Sequence, residues 1–209
     1  MQCPHCGAEP ESALGCAKCG RLLDPPAELS PFALLGLPES FALDAAELRR
    51  RVLREGRLVH PDYFTQSPAS ERELAERNSA RLNRANELLA DPFERADWLI
   101  AARGAPTESE ARAMPQAFLS EVLEWNELLE EARGAPTAPG QRERLESLAQ
   151  TLAAERARGL QAVAALLEPL PERGSPRLAQ VRTQLNAIRY VDRALSEIEA
   201  LSLARASLR

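Results

Sequence analysis

Two groups of side chains in this sequence carry reactive chemistry at telling spacings: thiols gathered at one end, and one imidazole beside a carboxylate. Cys3-Pro4-His5-Cys6-Gly7 and Cys16-Ala17-Lys18-Cys19-Gly20 are two C-x-x-C knuckles, and they hold every cysteine of the chain. Short-spaced thiolate pairs supply the four soft ligands of a tetrahedral metal site, and the glycine after each pair lets the backbone turn back toward the sulfurs. In a reducing compartment this pattern reads as a structural metal site in place of two disulfides, with Zn2+ favoured and iron left open. His5 reads as a solvent-facing knuckle residue, because four thiolates already close the site. The second group is His60-Pro61-Asp62, within the run RLVHPDYF. An imidazole next to a carboxylate can exchange protons. No thiol outside the knuckles, no Gly-rich phosphate loop and no second His/Asp/Glu cluster accompanies it. Enzyme activity is therefore not expected.

The elements that must position these groups are helical. Ala, Leu, Glu and Arg dominate while aromatics are only 4%, a bias toward helix over strand. Asp24-Pro25-Pro26-Ala27-Glu28 reads as a stiff linker, and Gly104-Ala105-Pro106-Thr107 ends one helical region before another. Further breaks fall at 134–140 and 169–176, so the chain divides into 1–24, 30–103 and 107–209. Asp44 with Glu47 fits a capping box, and Ser67-Pro68, Asp91-Pro92 and Ser175-Pro176 each fit a cap followed by proline at the first helical position. Leu178, Val181, Leu185, Ile188, Val191, Leu195, Ile198 and Leu201 form one apolar stripe, the signature of a bundle helix.

The helix from Asp44 to about Val59 has two faces at roughly 100° per residue. Ala45, Leu48, Val52 and Val59 fall on one side; Arg50, Arg54 and Arg57 fall on the other. The arginines read equally as a solvated face or as a docking face for an acidic partner. Pro61 pushes His60 out of the helical region, so the helix stops there and the tripeptide projects beside the basic face.

Composition narrows the classes. A net charge of -5 argues against non-specific nucleic-acid binding by the whole chain, and the knuckle segment is poor in basic residues. The first residues lack a basic region followed by an apolar one, and no apolar run approaches a membrane span. A cytoplasmic protein with neither nucleic-acid nor membrane partner is expected.

Helix, basic face, His60-Pro61-Asp62 and a second helix together resemble a J-domain, the module that stimulates ATP hydrolysis by heat-shock chaperones. Ser30-Pro31-Phe32-Ala33-Leu34-Leu35-Gly36-Leu37-Pro38 resembles its opening turn, and the run from Leu82 to Ala96 its third helix and exit. One departure is Tyr63, where many J-domains carry Lys or Arg. From Ser30 onward the chain resembles the HscB co-chaperones of iron–sulfur cluster assembly, most specifically at 91–99, 117–128 and 188–192. Some members of that family also carry a two-knuckle cysteine segment.

The resemblance implies an all-α fold: a J-domain helical hairpin and a C-terminal three-helix bundle, preceded by a small metal-binding knuckle domain. It implies chaperone binding by His60, Pro61, Asp62, Arg50, Arg54 and Arg57, with Asp62 meeting an arginine of an HscA/DnaK-type ATPase. It implies a scaffold-binding surface for an IscU-like protein at Leu119, Ser120, Leu123, Glu124, Glu127 and Tyr190. Ser120 stands where an apolar residue is expected, and Leu119 and Leu123 read alternatively as bundle core. Metal would sit on Cys3, Cys6, Cys16 and Cys19. The implied function is stimulation of the chaperone's ATPase together with delivery of the scaffold for cluster transfer. The alternative is a general folding co-chaperone that holds unfolded clients.

Overall fold

The computed structural model describes residues 2–135 and 138–207, the last three by backbone alone. Part of the break expected at 134–140, Pro136 and Thr137, lies outside the described residues. Among those described, the regular structure is helical: α1 (Pro31–Leu34), α2 (Ala45–Val59), α3 (Ala69–Ala90), α4 (Pro92–Ala101), α5 (Gln116–Gly134), α6 (Gln141–Leu167) and α7 (Arg177–Ser207). A 3-10 turn spans Pro61–Phe64, and a single antiparallel bridge joins Gly15 to Leu22. The chain forms two compact units, Met1–Arg95 and Ala96–Arg209.

Caps start these helices largely where side-chain chemistry dictates. Asp44 accepts from the Ala46 amide at 2.8 Å, and Asp91 Oδ1 accepts from the Phe93 and Glu94 amides at 2.7 and 3.1 Å. Glu47 departs from the capping box, giving its carboxylate to Arg50 and Arg51. The cap expected at Ser67 moves as well: α3 begins at Ala69. Pro68 is extended (ψ 152°) and so lies outside the helix, where its carbonyl receives the Glu71 and Arg72 amides.

In the first unit α2 packs on α3, and α3 also receives α1. Phe32, Leu35, Leu48, Val59, Leu82 and Leu89 are buried there. Arg95 is buried too; its Nε donates to the Phe41 carbonyl at 3.0 Å, its Nη1 donates to the Leu89 carbonyl, and its guanidinium lies over the Phe41 ring. It thereby satisfies a carbonyl at the end of α3 that the helix itself leaves unpaired.

The cysteine segment folds onto the same unit. Asn78, fully buried in α3, donates to the Leu23 carbonyl at 2.8 Å and to the Leu14 carbonyl at 3.4 Å. Arg81 donates to the carbonyls of Pro25 and Pro26, both at 2.6 Å, which pins the proline linker against α3.

In the second unit α5, α6 and α7 pack against one another as a three-helix bundle. The α7 stripe read from the sequence is the core stripe: Leu178, Val181, Leu185, Ile188, Val191 and Ile198 are buried. Each such side chain contributes roughly 1.5–3 kcal/mol when fully removed from water. From α5 come Phe118, Val122, Trp125 and Leu129, with Phe118 edge-on to Trp125 at 5.4 Å. Gly159 lets α6 approach α7 closely, since a Cβ there would stand 2.8 Å from Ile188 Cγ1.

Candidate functional site

The knuckles bring all four sulfurs within 4.8 Å of one another. The Cys3–Cys19 and Cys6–Cys16 sulfur pairs are 3.7 Å apart. Four metal–sulfur bonds of ~2.3 Å in a tetrahedron place sulfurs ~3.8 Å apart, so the donor set fits a tetrahedral metal as it stands. Gly7 and Gly20 have φ of 70° and 71°, the left-handed conformation that favours glycine, and their amides donate to the Cys3 and Cys16 carbonyls. Cys3 and Cys16 are buried while Cys6 and Cys19 face outward. The Cys19 backbone amide, working against the cost of burial and with help from the Lys18 amide, lowers the Cys16 thiol to about 7. Against the Arg21 backbone amide, burial and the surrounding sulfurs push its neighbour Cys19 the other way, up to about 11. His5 is exposed, consistent with a closed four-thiolate set.

The His60 turn stands open to solvent. Helix α2 ends at Val59, and His60 is extended (ψ 121°), as the following proline requires. Its Nδ1 accepts from the Asp62 amide at 3.3 Å and lies 3.7 Å from Asp62 Oδ2. The side chains of His60 and Asp62 are 56% and 82% exposed, so neither is part of the core. Tyr63 is also exposed, its ring 5.7 Å from that of His60.

The arginine face next to this turn carries less free positive charge than the sequence implied. Arg50 Nε donates to Glu47 Oε2 at 3.0 Å, and Arg51 Nε donates to Glu47 Oε1 at 2.6 Å. Donation from Arg51 first, then Arg50, holds the Glu47 carboxyl below its usual range. Arg54 donates through Nε and Nη2 to Glu55 Oε1, at 3.0 and 2.7 Å. Arg57 is exposed in the last turn, and exposed Leu53 sits among these arginines.

Glu55 was missed by the sequence reading. It points away from the arginines' solvent side and is fully buried, accepting from the Ser12 hydroxyl on Oε2. A glutamate on an arginine-rich helix looks like one more solvated charge; only the segment folded over it makes it an interior one.

In the bundle, Leu119 and Leu123 are 45% and 67% exposed, so they are surface and not core. The core positions of α5 are their neighbours Phe118, Val122 and Trp125. Tyr190 of α7 is half-buried; its ring meets Phe118 edge-on at 5.9 Å and its hydroxyl donates to Asn126 Oδ1 at 2.7 Å. This places Tyr190 against α5 next to the Leu119–Leu123 stripe. Ser120, Glu124 and Glu127 are exposed farther round α5, and the Ser120 hydroxyl is turned back to the Ala117 carbonyl at 2.8 Å. Asn126 is the residue that the sequence reading passed over here. Among the described residues no helix is long and apolar enough to cross a membrane.

Residues 114–199 match a family model described as the HSCB C-terminal oligomerisation domain. The co-chaperone protein HscB homolog of Bordetella pertussis is 34% identical over 170 residues, 81% of this chain and 94% of that protein. The crystal structure of human HscB superposes with a TM-score of 0.75 at 26% identity, covering 96% of this chain and 98% of the human one. HscB from Vibrio cholerae gives a TM-score of 0.67 over 83% of this chain and 97% of its own, at 22% identity, a likeness of fold alone. Identity at that level, sustained over nearly the whole of a relative, is common descent: the chain belongs to the HscB family of co-chaperones.

Proposed function

We propose that this protein docks on an HscA/DnaK-type heat-shock ATPase, stimulates its ATP hydrolysis and brings it an IscU-like iron–sulfur scaffold. The work divides along the chain: residues 1–24 hold a structural Zn2+, 30–103 engage the chaperone and 107–209 hold the scaffold. The protein is not itself an enzyme, and it acts in the cytoplasm. The observation that carries this reading is the solvent-facing His60-Pro61-Asp62 turn beside the arginines of α2.

Physically, Asp62 offers an open carboxylate for a charge-assisted hydrogen bond with a partner arginine. Arg50, Arg54 and Arg57 steer the encounter with an acidic surface. In the bundle, Leu119 and Leu123 supply apolar contact and Glu124 and Glu127 supply orientation, with Tyr190 beside them and Ser120 at the margin. The exposure of both leucines favours this role over a packing one.

The test is the steady-state ATPase of HscA/DnaK-type chaperones with and without scaffold. Stimulation is expected from the wild type and expected to vanish for His60→Gln. Leu123→Ala combined with Tyr190→Ala is expected to lose scaffold binding and keep basal stimulation. Tight retention of denatured proteins with no scaffold binding would move the reading to a general folding co-chaperone.

A further inference from the structure

One contact chain runs from the metal knuckles to the arginine face. The stretch between the two cysteine pairs carries Ser12, whose Oγ accepts from the Leu14 amide at 3.0 Å and donates to Glu55 Oε2. Leu14 is itself fixed two residues before Cys16, through its carbonyl to the Leu23 amide at 2.9 Å. Glu55 Oε1 then holds Arg54 by Nε and Nη2. The Glu55 side chain is 1% exposed and that of Arg54 is 43% exposed, so the chain ends in a guanidinium with one edge anchored and the rest open to a partner.

Burial makes this linkage sensitive to the knuckles. An ionised carboxylate with no access to water needs its lone pairs met by the protein, and Ser12 and Arg54 meet them. Once the knuckle segment lifts away, water reaches Glu55 and Arg54 is free to swing. A metal held by the four thiolates would close the knuckles around Cys16 and keep the Ser12–Leu14 stretch folded in place. An anchored guanidinium loses less freedom on binding than a free one.

We propose that Ser12 and Glu55 are positioning residues that tie the metal state of the knuckles to the orientation of Arg54, so that the metal-loaded protein docks more tightly on its chaperone than the metal-free one. This rests on the chaperone-binding reading above, and the test separates the two. The first arm needs no chaperone. In the full chain loaded with Zn2+, the Arg54 Nε–Hε resonance, identified by its loss in Arg54→Lys, should be shifted and slow to exchange with water. It should collapse onto the free arginines after chelation, and equally in Ser12→Ala with Zn2+ bound. An Arg54 resonance unchanged by both treatments overturns the proposal.

The second arm reads the half-saturating concentration for ATPase stimulation. Ser12→Ala is expected to raise it about threefold to tenfold, the range for releasing one long side chain. In an Arg54→Ala background the same change should have almost no effect. Equal effects in both backgrounds, or tighter docking after chelation, overturn the proposal. Glu55→Gln keeps the shape of the side chain while removing one partner of the Arg54 pair: the Arg54 resonance should be released, even where the loss of that partner lowers the unfolding midpoint. A lowered midpoint with Arg54 still anchored also overturns it. A wild type that stimulates no chaperone defeats the parent reading and leaves the resonance arm to decide the strap.

Discussion

At the scale of single residues, this protein repeatedly uses a buried polar side chain to hold one segment to another. Asn78 is the clearest case, because the Leu23 carbonyl depends on it, while the Leu14 carbonyl is shared between it and the Leu23 amide. Asn78→Ala should cost roughly 1–3 kcal/mol, the range for leaving a buried acceptor unmet, as read by chemical denaturation. A change within ~0.5 kcal/mol, typical of surface substitutions, would mean the Leu23 carbonyl is not dependent on it. Glu47 gives a pH signature of its own. Its folded-state value lies below the ordinary 4.5 because Arg51 and Arg50 donate to it. The stability it lends is therefore complete above that ordinary value and is lost as pH falls through the lower folded one. A pH series of unfolding midpoints should show a shallower acid-side decline in Glu47→Gln than in wild type.

At the scale of elements, α5 divides two jobs between adjacent residues. Trp125→Ala should cost about 3–5 kcal/mol, since it empties a core site between the bundle helices. Leu123→Ala should stay within ~0.5 kcal/mol because its side chain is already wet. Equal costs would contradict the orientation of α5. The contact of α6 with α7 at Gly159 offers a sharper test. Alanine there normally adds helix propensity, but its Cβ would collide with Ile188. Gly159→Ala should therefore destabilise by about 1–3 kcal/mol, and its added cost should be much smaller in an Ile188→Ala background.

At the scale of the whole molecule, the metal knuckles belong to the same compact unit as α1 to α3. Chelation should therefore be felt beyond residues 2–24. Hydrogen exchange is expected to quicken in α2 and α3, where Glu55 and Asn78 lose their partners, and to stay as it was in the 141–198 part of the bundle. Confinement of the change to the cysteine segment would show that α2 and α3 do not lean on it.

What the sequence settled by itself was local. Spacing set the four-thiolate knuckles, proline fixed where α2 ends at His60, aspartates marked two helix starts, and three- and four-residue steps marked the α7 core stripe. Each of these is governed by bonds or backbone angles within a few residues, so a linear reading reaches it. The tertiary structure decided which side of each amphipathic helix meets protein and which meets water. It put Leu119 and Leu123 outside and Phe118 inside, turned Glu55 from a solvated charge into an interior one, and pinned the proline linker under Arg81. Those outcomes depend on partners 43 to 64 residues away along the chain, and burial is a property of what covers a side chain, which no local spacing encodes.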